Sequence, residues 1–87
     1  MPCVFIPPLL RPMAEGAETV VVPGKNVREV IDALDARFPG IGQHLRDEES
    51  LRPGLTVVID ADVSPFGLLQ KVDADSEVHF LPAIGGG

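Results

Sequence analysis

The chain closes with Phe80-Leu81-Pro82-Ala83-Ile84-Gly85-Gly86-Gly87, and the carboxylate behind those three glycines is the group best placed to take part in chemistry. Glycines offer nothing to pack and open backbone angles closed to other residues, so three in succession form a thin segment with an acid at its tip. At about 3.3–3.6 Å per extended residue, the five residues after Pro82 span about 17 Å, enough to enter the catalytic channel of a neighbouring enzyme where a side chain would clash. On composition alone the same tail fits a frayed terminus or a cloning remnant equally well.

Other reactive side chains are sparse. Cys3 is the only cysteine, which leaves no internal disulfide and no four-cysteine cluster. No neighbouring base or helix terminus activates its thiol, so it reads as a small buried hydrophobe. His44 and His79 have no nearby Cys or spaced acidic partner, so each reads as a surface or strand residue, and no metal site is expected. Asp60, Asp62, Asp73 and Asp75 occur as pairs inside turns, where turn chemistry explains them better than metal binding or acid–base work.

The elements that must carry the tail follow from periodicity. Val4 to Leu10 is an apolar run closed by Arg11-Pro12, and Glu18 to Pro23 is a second, giving two strands joined by a loop. Pro7 and Pro8 lack a ladder N–H and predict a bulge, a pairing gap or an early end, although the first strand is expected to survive them. Val27, Val30, Ile31, Leu34 and Phe38 recur at helical spacing between Asn26, a good N-cap with Glu29 three residues on, and the stop Pro39-Gly40. Residues 41–51 read as a short helical turn and a loop closing at Arg52-Pro53-Gly54. Leu55 to Asp60 is a β-branched strand, Asp60-Ala61-Asp62 is a turn, and Ser64 to Gly67 is irregular. Leu68 to Val72 is expected as a short strand or connection. After the polar turn Asp73 to Ser76, a last strand from Glu77 to Pro82 places Val78 and Phe80 on one face.

The order β-β-α-turn-β-β-β is an α+β arrangement, a mixed sheet of four to five strands covered on one face by one main helix. All 87 residues form one domain, 1–87, with 83–87 as its tail, and a domain of this size buries only about 60% of its unfolded surface. That leaves little room for an enclosed active site. The net charge of −6, without a basic stripe, disfavours nucleic acid. No apolar run approaches 18 residues and no leader opens the sequence, so a membrane partner is not expected and a cytoplasmic location is. Phe66, Leu68, Leu69 and Phe80 could line an apolar docking patch, although a core role suits most of them better.

The strand order, the turn Asp73-Ala74-Asp75-Ser76-Glu77-Val78 and the ending Phe80 to Gly87 together resemble the ubiquitin-like sulfur carriers of β-grasp fold. That group includes the molybdopterin synthase small subunit and the thiamine-pathway carrier. The start, Ile6-Pro7-Pro8-Leu9-Leu10-Arg11-Pro12, is similar to the CysO-type carriers of cysteine biosynthesis. The resemblance spans the chain, and its most specific motif is D-x-D-x-E-V-x-F-L-P-x-x-x-G-G. It implies that an E1-like enzyme adenylates the Gly87 carboxylate with ATP and that a sulfur donor displaces the adenylate to leave a thiocarboxylate. Gly87 is then the reacting residue and Gly86 the narrow neck, while Gly85, Ile84, Pro82, Phe80 and Phe66 are the expected partner contacts.

The same resemblance implies a protein cosubstrate rather than an enzyme, with no cofactor bound by the chain itself; the ATP belongs to the activating enzyme. Its acceptor would be a cysteine synthase-like, molybdopterin synthase large subunit-like or thiazole synthase-like enzyme. Two positions depart from the family pattern. Gly85 stands where alanine or serine is common, and Ile59-Asp60-Ala61-Asp62 replaces a turn that often carries Asn-Asp or Asn-Gly. Two other readings remain at this stage: a ubiquitin-like modifier joined to lysines through Gly87, and a β-grasp binding module with no chemistry at its tail.

Overall fold

In the computed structural model, which describes residues 1–82, β1 is Cys3–Phe5 and ends well before the apolar run Val4 to Leu10 does. The expected strand through Leu10 is therefore corrected. Pro7 and Pro8 cannot donate to a ladder, but their fixed φ suits a tight helical turn, and Pro8–Ala14 forms a 3-10 helix. Leu10 N–H donates to Pro7 O at 2.8 Å, and Arg11 Nε donates to Ile6 O at 3.1 Å. Glu15, in the left-handed region at φ 56, ends the turn. β2, Thr19–Val21, then returns antiparallel with Val20 opposite Val4.

The helix α1 covers Val27–Arg37. Asn26 caps it by accepting from Glu29 N–H at 2.9 Å, while the Glu29 carboxylate accepts from Lys25 N–H at 3.0 Å. The capping box is thus one residue wider than its usual form, in which the acid returns to the N-cap's own N–H. Val27, Val30, Ile31 and Leu34 are fully buried, as their spacing requires. At the far end Asp35 Oδ1 accepts from Gly40 N–H at 3.1 Å and Gly42 N–H at 2.9 Å, which turns the chain into the short helix α2, Gly42–Leu45.

Three strands follow: β3, Leu55–Ile59; β4, Asp62–Val63; and β5, Glu77–Pro82. The fourth is only two residues long and begins at Asp62, inside the segment read above as a turn. Leu68 to Val72 proves to be a connection, with a 3-10 turn over Gly67–Leu69 and one bridge between Lys71 and Asn26. The sheet order is β2-β1-β5-β3-β4. β5 runs parallel to β1 and antiparallel to β3, so the last strand occupies the middle of a mixed sheet. Its inward residues Val78 and Phe80 join Val4, Val20, Val57 and Ile59 against α1 in one core. Among the described residues no helix is long and apolar enough to cross a membrane.

Candidate functional site

Where β5 ends decides what the chain can present to a partner. Both its edges are paired: Cys3, Val4 and Phe5 stand beside Glu77, Val78 and His79, while Leu55 to Ile59 run against Pro82 to Val78. The β1 ladder holds the strand from Glu77 to His79 and the β3 ladder holds it from Val78 to Pro82, and an inward pair, Val78 fully buried and Phe80 2% exposed, anchors it in the core. Pro82 can close it because a proline at a strand end costs few ladder bonds. The tail therefore departs from the most firmly held strand, beside Leu55. Gly87, Gly86, Gly85 and Ile84 lie outside the described residues, so their expected roles stay with the sequence.

The root of β5 is held as well. Ser76 is buried, and its hydroxyl accepts from Asp73 N–H at 3.0 Å. Asp60 Oδ1 accepts from Glu77 N–H at 2.8 Å. Of the four turn acids, Asp60 serves its turn through its carboxylate and Asp73 through its backbone N–H, while Asp62 lies in β4. Asp60 and Ala61 both have positive φ, 49 and 73, the pattern of a tight hairpin turn that usually carries Asn-Gly.

Two expected partner contacts fare differently. Phe80 belongs to the core, because the alternation that brings Val78 inward brings Phe80 inward too, and it also lines a hollow beside Leu55. Phe66 is 66% exposed, on the connection after β4, with β3 between that strand and β5. Of the suggested patch, Leu68 is buried and Leu69 is exposed.

Two surface features were not anticipated. On the sheet face away from α1, the rings of Phe5 and His79 stack with centroids 4.0 Å apart and an interplanar angle of 12°. The His79 Nε2 lies 3.6 Å from Glu77 Oε1. The i, i+2 alternation of Cys3-Phe5 and Glu77-His79 could have placed these residues on one face, but the parallel pairing that joins them is a long-range event. The second is a hollow of about 460 Å³ at the tail end of the sheet, lined by residues including Leu9, Leu10, His44, Arg52 and Leu55. Leu9 is 92% exposed there, because the 3-10 helix turns it out of the strand it was expected to occupy.

A five-stranded mixed sheet, crossed on one face by a single main helix and with its C-terminal strand in the middle, defines the ubiquitin-like β-grasp class. Residues 5–87 match the family described as ThiS, and the chain belongs to that family. It is 37% identical over 91 residues to the sulfur carrier protein CysO of Mycobacterium tuberculosis H37Rv, covering 97% of this chain and 96% of that protein. Among solved structures, a chain of the Amycolatopsis orientalis BexX/CysO complex superposes with a TM-score of 0.90 at 32% identity, covering 100% of both chains. Mycobacterium tuberculosis CysO superposes at 0.87 with 29% identity, covering 97% of this chain and 100% of that one.

Proposed function

We propose that this chain is a sulfur carrier whose Gly87 carboxylate is activated by an E1-like enzyme and converted to a thiocarboxylate. The observation that carries the reading is the central, doubly paired β5, which delivers the tail at its free end in a chain related to CysO along almost its whole length. An ionised carboxylate is a poor acylating agent, so a leaving group must be installed before sulfur can attack. In the enzyme's site, a Gly87 carboxylate oxygen bonds to the α-phosphorus of ATP and pyrophosphate departs. A sulfur nucleophile then adds at the acyl carbon, and AMP leaves with that oxygen, so one oxygen has been exchanged for sulfur.

The chain supplies no acid or base in this scheme. Its contribution is a slender carboxyl terminus on a rigid platform, with Gly86 and Gly85 as the neck and Ile84 and Pro82 as contacts along the channel. The exposed Phe66 is a further contact. The similarity to CysO and the opening Ile6 to Pro12 favour a cysteine synthase-like acceptor.

Pyrophosphate exchange into ATP by the adenylating enzyme should depend on this chain and vanish when Gly86 and Gly87 are deleted. Full function of the truncated chain would leave only a binding module, and amide conjugates through Gly87 in cells would support a modifier.

A further inference from the structure

We infer, resting on the carrier reading above, that the hollow beside the end of β5 is a docking site for the adenylating enzyme, which fills it with an apolar side chain flanked by carboxylates. The hollow measures about 460 Å³, and its wall combines Leu9, Leu10, Met13 and Leu55 with two polar side chains, Arg52 and His44. No step of the acyl chemistry above uses any of these groups.

Both walls are held before a partner arrives. Leu9 stands 92% exposed on the 3-10 helix Pro8–Ala14, whose buried Ala14 and partly buried Leu10 and Met13 pack into the core. The helix is tied at its start by the bond from Leu10 N–H to Pro7 O and by the guanidinium of Arg11 on Ile6 O. Across the hollow, Arg52 N–H donates to Leu45 O at 3.1 Å, and Arg52 O accepts from Leu55 N–H at 3.0 Å. An apolar side chain presented on a fixed turn loses little freedom on association, which suits it to anchor an interface.

Charge selects the occupant. Three other surface hollows are lined by carboxylates, Asp35 in one, Glu49 in another and Asp60 in a third. Among the described residues lining this hollow there is no carboxylate, in a chain of net charge −6. Arg52 also borders the hollow of Asp35, but the ion pairs among the described residues are Arg46 with Asp32 and His79 with Glu77, which leaves its guanidinium without a carboxylate there. An arginine at the rim of an apolar patch matches an incoming carboxylate and opposes a cation.

Position selects the partner. Leu55 lines the hollow and stands opposite Pro82, the last residue of β5, so an enzyme that grasps the chain where this strand ends lies beside this wall. A second copy fits less well. Paired hollow to hollow about a two-fold axis, each Arg52 would face its own counterpart.

The enzyme for the test is one that gives ATP–pyrophosphate exchange with the native chain, so the carrier reading is decided before the hollow is. Exchange is measured against chain concentration for Leu9→Asp, Arg52→Glu, Arg52→Lys and Arg28→Glu. Arg28 is an exposed residue of α1, and its reversal matches the change in net charge made at Arg52. Circular dichroism verifies each fold. Leu9→Asp and Arg52→Glu should each raise KM roughly tenfold or more with kcat unchanged. Arg52→Lys keeps the charge and should recover most of that loss, and Arg28→Glu should stay within about twofold. The Arg52→Glu effect should shrink as salt is raised, which a damaged fold would not reproduce. Folded Leu9→Asp and Arg52→Glu chains with the native KM would overturn the inference, as would an equal rise from Arg28→Glu. A lower KM for Arg52→Glu would overturn it in favour of a basic partner. A native chain that sediments as a dimer, with Leu9→Asp monomeric, would overturn it in favour of a second copy.

Discussion

Asp60 grips Glu77 twice: its N–H donates to the Glu77 carbonyl at 3.0 Å, and its Oδ1 accepts from the Glu77 N–H at 2.8 Å. The hairpin turn after β3 is thereby tied to the first residue of the strand that carries the tail. Replacing Asp60 with alanine removes the side-chain acceptor and places a β-carbon residue without that bond at φ 49. A loss of about 1–2 kcal/mol in urea unfolding is expected. Asp60→Asn keeps an acceptor oxygen and tolerates the left-handed angle, so it should recover most of that loss.

Ala61, next in the turn, is exposed and sits at φ 73, an angle unfavourable to alanine and open to glycine. Ala61→Gly should raise stability by about 0.5–1 kcal/mol, the left-handed strain outweighing the greater chain entropy of glycine. Its unfolding midpoint in urea should move upward with an unchanged slope.

Gly24 is required by proximity. A β-carbon there would lie 2.7 Å from Val30 Cγ2 and 2.8 Å from Val30 N, and the backbone of α1 cannot yield as a loose side chain would. Gly24→Ala should cost about 1–3 kcal/mol, measured by thermal or urea unfolding.

The two phenylalanines expected as partner contacts should separate cleanly. Phe80→Ala empties the centre of a small core and should cost about 3–5 kcal/mol, a large share of the stability of any domain this size. Phe66→Ala should change stability by less than about 0.5 kcal/mol, so any loss of sulfur loading it causes would reflect docking to an enzyme. Urea unfolding of both variants, alongside loading of Phe66→Ala, measures the contrast.

Sequence and structure agree where the signal is local. Asn26, the stripe Val27 to Phe38 and the stop at Pro39 place α1 almost to the residue, and the β-branched Leu55 to Ile59 and the alternating Glu77 to Pro82 give β3 and β5. The failures have physical causes. Pro7 and Pro8 convert an apolar run into a 3-10 helix because ring-fixed φ and missing N–H groups outweigh hydrophobicity, and Leu9 is exposed as a result. The strand Asp62–Val63 is too short to have a period. Phe80 was legible as an inward residue from its alternation with Val78, and its burial places it in the core, where it also lines a hollow beside Leu55. The Phe5–His79 stack depends on parallel pairing between chain segments more than seventy residues apart, which no local pattern encodes.

Intact-mass analysis of the chain after incubation with an E1-like adenylating enzyme, ATP and a sulfide source tests the central claim most directly. The account predicts a gain equal to one oxygen exchanged for sulfur, confined to the peptide containing Gly87, and absent when one further residue follows Gly87. No gain with an enzyme that loads Mycobacterium tuberculosis CysO under the same conditions, or an equal gain on the extended chain, would contradict it.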